Sequence, residues 1–282
     1  MPSGTTNAGL LRHAIDSGGQ EHFAATALRG AAVFWFVVTV VGQMLFVFYI
    51  AAFYGGAAVQ GDLSTWNKVL PHGYTPGDSV GNVAIGAHLL FAVVIIAAGA
   101  LQLMPQVRRR VPAFHRWNGR VYVLLACVSS IIGLYMLWFR GGIGGTVQHI
   151  GMSGDAVLIL LCAFMAVRHA RARNFSAHRH WALRLFLVVS AVWFFRVGLM
   201  LSILVNHGPV GFDPGSFRGP FLDFLAFAQY LLPLAVLELF LRAQEWNSAA
   251  GRIAVAASLV ALTVAMGIGI FGAAMGMWLP HM

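Results

Sequence analysis

Seven long apolar runs follow one another along the chain, separated by shorter segments rich in polar residues, glycine or proline. An α-helix needs about 20 apolar residues to cross the hydrocarbon of a bilayer, and each run is long enough. The runs show no strict alternation of apolar and polar residues, so a transmembrane β-barrel is not indicated. The predicted spans, numbered one to seven, cover residues 31–54, 83–104, 118–139, 150–168, 181–205, 221–242 and 253–279. This pattern predicts an all-α integral membrane protein with seven transmembrane helices.

Composition points to the same class of protein. The chain of 282 residues is 59% hydrophobic and 10% charged, whereas soluble domains are about one-half apolar and one-quarter charged. Residues 1–30 are predicted to form a mobile cytoplasmic tail, and residues 31–282 a single transmembrane domain. Motifs for nucleotide phosphates, nucleophilic hydrolysis and zinc peptidases are missing from the sequence.

The net charge of +9 is concentrated in alternate loops. Arginine clusters lie between spans two and three and between spans four and five. They comprise Arg108, Arg109, Arg110, Arg116 and Arg120, then Arg168, Arg171, Arg173, Arg179 and Arg184. By the positive-inside rule, this asymmetry places the amino terminus in the cytoplasm and the carboxyl terminus outside. The arginines can attract anionic lipid, and nucleic-acid binding is not indicated.

Two similar phrases, "PAFHRWNGR" and "SAHRHWALR", stand at the cytoplasmic starts of spans three and five. Each follows a hydrophobic span that carries another histidine at its outer end. His88 precedes His115 in this way, and His149 precedes His178. This weak repeat of a helical hairpin is typical of parallel repeats, which an axis along the membrane normal relates. It predicts a central four-helix bundle of spans two to five, with equivalent histidines at equal depth.

The direction of each histidine follows from the helical turn of about 100° per residue. His88 and His115 share their helix faces with glycine, glutamine and other small or polar residues, among them Gln102 and Tyr122. Such residues favour the interior of a membrane bundle. His178 lies almost directly below Arg196, whereas His180 points to the opposite side. Since an arginine within a span faces the bundle, we expect His178 rather than His180 to point inward.

Two neutral imidazoles at equal depth on facing helices suit the axial positions of a haem iron. We therefore predict two bis-histidine b-type haems in a core of residues 82–205. His88 would pair with His149 near the outer surface, and His115 with His178 near the inner one. Gln102 and Tyr122 belong to the predicted cofactor-binding set. Arginines can hold haem propionates by charge-assisted hydrogen bonds. Those predicted to do so are Arg116, Arg120, Arg179 and Arg184 around the inner pair, and Arg196 or Arg140 near the outer pair.

Residues 82–242 resemble the bacterial membrane-protein family of the domain of unknown function 2306. The resemblance rests on Gly99 with Gln102, on the segment from His115 to Tyr122, and on that from His178 to Arg184. The alternation of histidines over four spans is also similar to the two-haem transmembrane cytochromes of the b-561 class. These likenesses imply a bacterial inner-membrane protein. The likeness to the two-haem cytochromes also implies electron transfer across the membrane from a small reductant or quinol to an acceptor such as ferric iron.

Two other functions fit the same sequence. The repeat, Arg196 and the polar helix faces are also typical of a secondary transporter or channel without haem. The lack of a recognised enzyme motif is compatible with a membrane subunit of a larger complex. Each histidine taken singly is compatible with a residue of the membrane interface or a polar contact between helices.

Overall fold

The computed structural model describes residues 5–282, with side chains from Gly19 onward. The described part is all helical and contains no strand. Its α-helices are α1 (Thr5–Tyr49), α2 (Gly56–Val59), α3 (Ser79–Leu103), α4 (Pro105–Arg110), α5 (Pro112–Phe139), α6 (Thr146–Arg171), α7 (Phe175–Val189), α8 (Ala191–Val205), α9 (Pro220–Ala243) and α10 (Ala249–Ala273). Six helices are long and apolar enough to cross a membrane, and α7 with α8 adds a seventh, broken span.

The first helix differs from the prediction. The sequence predicted a polar tail over residues 1–30, but α1 already begins at Thr5. Residues 1–4, and the side chains up to residue 18, lie outside the described part of the chain. At its other end α1 passes into a π-helical turn, Ile50–Gly55, and then into α2. A second π-helical turn, Ala274–Trp278, follows α10.

The membrane-spanning helices form a closed ring. In the order α1, α3, α5, α6, α9, α8 and α10, each helix packs against the next, and α10 returns to α1. Helix α7 packs against α6 and α9, and its buried Phe186 reaches Trp35 of α1 at 6.4 Å between ring centroids. Phe186 also lies against Gly99 of α3. Helix α7 therefore fills the interior of the ring at one end.

The fifth predicted span is bent by 53° between α7 and α8, at Ser190. No proline is present at this break. The Ser190 hydroxyl instead donates to Phe186 O (2.8 Å) and accepts a hydrogen bond from Gln43 Nε2 of α1 (2.9 Å). Serine side chains that bond back to the preceding turn bend helices. Beyond the bend, α8 packs against α10 and α9.

The two ends of the bundle differ in charge. The arginine-rich end comprises the α3–α5 and α6–α7 connections, which carry the two arginine clusters, and the α9–α10 connection, which Arg242 and Arg252 flank. At the opposite end, Asp78 caps α3 by accepting from the Gly81 amide (2.9 Å). Arg140 donates to Asn82 Oδ1 (2.7 Å) and lies 3.4 Å from the Asp78 carboxylate. These contacts tie the start of α3 to the end of α5.

Candidate functional site

The two histidine-arginine phrases occupy equivalent positions in two different helices. Pro112 begins α5 and Phe175 begins α7, so His115 and His178 are each the fourth residue of their helix. Proline is favoured at the first helical position. Asn174 caps α7 by accepting from the Ala177 amide (3.2 Å). Because both helices begin at the arginine-rich end, the two histidines lie in the first helical turn at that end.

The imidazoles of this pair have complementary hydrogen-bond states. His178 Nδ1 lies 2.9 Å from Ala166 O of α6. A carbonyl oxygen only accepts, so this nitrogen carries the proton and His178 Nε2 keeps a lone pair. His115 Nδ1 is buried without a hydrogen-bond partner. Both side chains are half-buried at the arginine-rich end of the bundle.

Side-chain amides fix the first turns of α5 against the end of α3. Gln102 Nε2 donates to His115 O (2.9 Å), and Asn118 Nδ2 donates to Ala98 O (3.0 Å). A Cβ atom on Gly119 would lie 3.3 Å from Gln102 Oε1, so only glycine leaves the amide its place without a shift. Gln102, predicted to bind cofactor, thus positions the backbone of a candidate ligand. Asn118 was missed by the sequence reasoning, although it stands inside the first phrase.

Tyr122, which was also predicted to bind cofactor, lies one helical turn after Asn118 in α5. Its ring packs on Gly99, where an added Cβ would approach Tyr122 Cε2 to 3.1 Å and Phe186 to 3.3 Å. The Tyr122 hydroxyl is buried and makes no hydrogen bond. Gly99 therefore lets α3, α5 and α7 approach closely, and Tyr122 offers a free polar atom at their junction.

The same Trp–Arg contact occurs in both phrases. Arg120 lies 4.9 Å from the Trp117 ring centroid, and Arg184 lies 4.8 Å from that of Trp181. Arg184 is also bound by Glu238 of α9, through hydrogen bonds of 2.7 and 3.0 Å. The sequence assigned Arg184 to haem propionates, but this carboxylate already engages two of its donors.

Three other arginines that were predicted to bind haem propionates are available for a ligand. Arg116, Arg120 and Arg179 have exposed side chains and take part in neither ion pair of the described residues. They lie in the same first turns of α5 and α7 as the two histidines, or one turn later, and make this end positively charged. This end of the bundle can therefore hold acidic groups beside the two imidazoles.

His88 and His149, predicted to pair near the outer surface, contact different groups. His88 Nδ1 is 3.0 Å from Ser129 Oγ of α5, whereas His149 Nε2 is 3.2 Å from Gly142 O. The His149 ring also packs edge-on against Trp138, with centroids 5.5 Å apart. His88 is nine residues into α3 and His149 only three into α6, so they differ in depth by about 9 Å at 1.5 Å per residue.

Arg196, predicted near the outer pair, instead lies beside aromatic residues of α1. Its guanidinium carbon is 5.2 Å from the centroid of the Phe46 ring. It also interacts electrostatically with Tyr49, Tyr54 and His88. The tyrosines were missed by the sequence reasoning, because no motif marks the π-helical turn that follows Tyr49.

The helices and the polar groups between them define a multi-pass membrane protein. Residues 85–211 match the family model described as "Predicted membrane protein (DUF2306)", so this segment is similar to that family. The resemblance drawn from the two phrases is confirmed, and all four candidate histidines fall within the matched segment. No curated protein and no solved structure matches the chain. The likeness to b-561 cytochromes therefore stays a prediction.

Proposed function

We propose that this protein binds a b-type haem between His115 and His178 and carries electrons at the arginine-rich end of the bundle. The observation that carries the proposal is the state of the two imidazoles. The contact of His178 Nδ1 with Ala166 O leaves its Nε2 free to bind a metal, and such a second contact is typical of metal-binding histidines. The unpartnered Nδ1 of His115 also points to a group that the protein alone does not supply.

The ligand set favours haem over a simple metal ion. Zinc sites take about three or four protein ligands. Within the described residues, no group of three or more His, Cys, Asp or Glu side chains could hold a metal ion. Haem iron receives its equatorial nitrogens from the porphyrin and needs two axial ligands from the protein at most. Two imidazoles therefore suffice for haem and not for zinc.

The charges around the pair suit the acidic edge of a haem. Arg116, Arg120 and Arg179 are exposed at the same end and are free to bind propionates through charge-assisted hydrogen bonds. When bound, the haem supplies reversible one-electron chemistry. The chain itself orients the iron ligands through Gln102 and Ala166, and the apolar cluster of Ile95, Leu185 and neighbouring residues limits water beneath the site.

The orientation of the protein and its partners belong to the same proposal. By the positive-inside rule, the arginine-rich end and the amino terminus face the cytoplasm of a bacterial inner membrane. The donor is a small reductant attracted by the arginines, or a quinol in the lipid. Transfer across the whole bilayer needs a second redox group. A second haem between His88 and His149 stays a prediction, and the separation of these residues supports it less than the first.

Haem content tests the proposal directly. The full chain is purified in detergent from haem-replete cells, and the dithionite-reduced absorption spectrum and the haem-to-protein ratio are measured. His115→Ala and His178→Ala should each remove about one equivalent of haem, because each removes one axial ligand. His180→Ala is the matched control: it removes an imidazole two residues from His178 and should retain the haem.

The result also separates the other candidates. A colourless, folded wild-type protein would refute haem binding. Haem loss in His180→Ala but not in His178→Ala would mean that the ligand was assigned to the wrong histidine. His149→Ala distinguishes one haem from two, since only a two-haem protein would lose absorbance. Passage of electrons is then tested in sealed liposomes with an impermeant reductant on one side and an impermeant acceptor on the other.

A further inference from the structure

Arg196 carries a positive charge in the middle of a membrane span. It lies nine residues before Val205, the end of α8, or about 14 Å along the axis at 1.5 Å per residue. The hydrocarbon core is about 30 Å thick, so this position is near its midplane. Arg196 takes part in neither ion pair of the described residues, although its Nη1 donates to Val192 O (3.1 Å). A charge at this depth is costly, and such residues mark ligand or ion sites.

Buried donors without partners surround this arginine. Its guanidinium lies over Phe46, whose ring packs against Tyr49 (6.1 Å) and Trp278 (5.2 Å). The Tyr49 hydroxyl, Trp193 Nε1 and Trp278 Nε1 make no hydrogen bond. Their residues are only 3%, 2% and 1% exposed, so water does not satisfy them at the surface. Unsatisfied buried donors are rare in native proteins and point to an acceptor that completes the site.

His88 approaches the same place from the other side. It lies nine residues after Ser79, the start of α3. Ser79 and Val205 are at the same end of the bundle, so His88 and Arg196 lie at about the same distance from that end. Both side chains are partly accessible. Since Ser129 contacts His88 Nδ1, the other ring nitrogen is left for a ligand.

The backbone of α1 is irregular beside this cluster. In the π-helical turn Ile50–Gly55 each amide bonds five residues back, so Tyr49 and Tyr54 lie on the same side, with ring centroids 5.9 Å apart. The second π-helical turn ends at Trp278, which contacts Tyr49 and Phe46. π-Helical turns are rare and occur frequently at functional sites. Both of those in this protein supply residues to the cluster around Arg196.

We propose that Arg196, Tyr49 and His88 form a binding site for a carboxylate carried on an apolar body. A single guanidinium matches a single negative charge, and its planar fork matches the two oxygens of a carboxylate. The walls are aromatic, and the site lies near the midplane, where a strongly hydrated inorganic ion is costly to bring. An acid with a hydrocarbon or aromatic portion satisfies both conditions. This site does not depend on the proposed haem.

Thermal stabilisation by benzoate tests this site, with benzamide as the uncharged probe of the same shape. The full chain in detergent is heated with increasing benzoate, benzamide or sodium chloride, since a ligand of the folded state raises the unfolding temperature. Benzoate should stabilise the protein, and the other two should not. Arg196→Gln should weaken benzoate binding at least about tenfold, because it removes a charge-assisted contact. Arg109→Gln, an exposed arginine elsewhere, is the matched control.

A second variant protects the test against a failure to fold. Tyr49→Phe removes one hydroxyl and keeps the ring that packs against Phe46 and Trp278, so it should fold normally and still bind benzoate several-fold more weakly. Equal stabilisation by benzamide or by chloride would overturn the carboxylate assignment. Unchanged benzoate binding in both Arg196→Gln and Tyr49→Phe would overturn the location. Absence of any benzoate effect on the wild type would overturn the proposal as a whole. The same titration on His178→Ala separates this site from the haem site.

Discussion

Gly269 of α10 should be needed for the close approach of α10 to α8. A Cβ atom at this position would lie 2.5 Å from Val197 O and 2.8 Å from Val197 Cγ1. The first of these atoms belongs to backbone and cannot move without its helix. Gly267, two residues earlier in α10, has nothing within 4 Å of an added Cβ. The two positions therefore differ in contact but not in secondary structure, and small residues at such interfaces are what membrane helices use to pack closely.

The comparison of Gly269→Ala with Gly267→Ala isolates the contact. Either alanine gains about 1 kcal/mol of helix propensity over glycine. Overpacking at a rigid contact costs about 1–3 kcal/mol, and only Gly269→Ala incurs it. We therefore expect Gly269→Ala to be less stable than Gly267→Ala by about 1–3 kcal/mol, the shared propensity cancelling. Because Val197 adjoins Arg196, the same shift of α8 should also weaken benzoate binding.

Unfolding in mixed micelles, followed by circular dichroism as the denaturing detergent fraction rises, measures this difference. Both variants are compared with the wild type under one lipid and detergent composition. The reasoning would be refuted if Gly269→Ala proved as stable as Gly267→Ala. That result would mean that α8 and α10 separate freely, and that the close approach at Val197 contributes nothing to stability.

Two further predictions concern groups outside the hydrocarbon or near its edge. Glu238→Gln should destabilise the protein by about 1 kcal/mol or less, because the Arg184–Glu238 pair is bidentate but partly exposed. High salt should reduce this loss of stability. Glu245→Gln, at an exposed glutamate, is the control in the same unfolding assay. In the loop before α9, hydrogen bonds from the Ser216 hydroxyl and from the amides of Gly215 and Ser216 hold the pKa of Asp213 below its ordinary value. These hydrogen bonds stabilise the loop at pH values above the pKa of Asp213 in the unfolded chain, and this stabilisation is lost as pH falls through its lower pKa in the folded protein. Amide exchange in this loop should therefore quicken only in acid. Unchanged exchange in acid would contradict this expectation.

Hydropathy predicted the spans because a membrane helix must present about 20 apolar residues whatever its neighbours are. It could not show the break in span five, since Ser190 resembles any other small polar residue in an apolar run. The bend depends on its contact with Gln43, which is 147 residues away in sequence. The ion pair between Arg184 and Glu238 was missed for the same reason, because its partners are 54 residues apart.

At the candidate site, too, local sequence predicted one part of the arrangement and missed another. His115 and His178 were placed at equal depth because their phrases each open a helix, and local sequence determines where a helix begins. The same argument fails for His88 and His149, since neither lies within a comparable phrase. The predicted start of span four at residue 150 hid the fact that α6 begins at Thr146 and His149 lies in its first turn. Equal depth in a repeat requires equal distance from the helix ends.

The hydrogen bond between Gln43 and Ser190 should couple the bend to the rest of the fold. Gln43 is 1% exposed and Ser190 6% exposed. Gln43 Oε1 already lacks a partner, so Ser190→Ala would leave both polar atoms of this amide unsatisfied. Leaving a buried donor unpaired costs about 1–3 kcal/mol, whereas removing both partners together costs much less.

A double-mutant cycle in the micelle assay measures this coupling. Ser190→Ala should destabilise the protein by about 1–3 kcal/mol, and Gln43→Leu, which removes the buried amide, should cost less. The double variant should then be less destabilised than the sum of the two single changes. Additive effects would mean that the two residues do not act as a pair. The bend would then be set by the packing of α8 on α9 and α10, and Ser190→Ala would leave the affinity of the Arg196 site for benzoate unchanged.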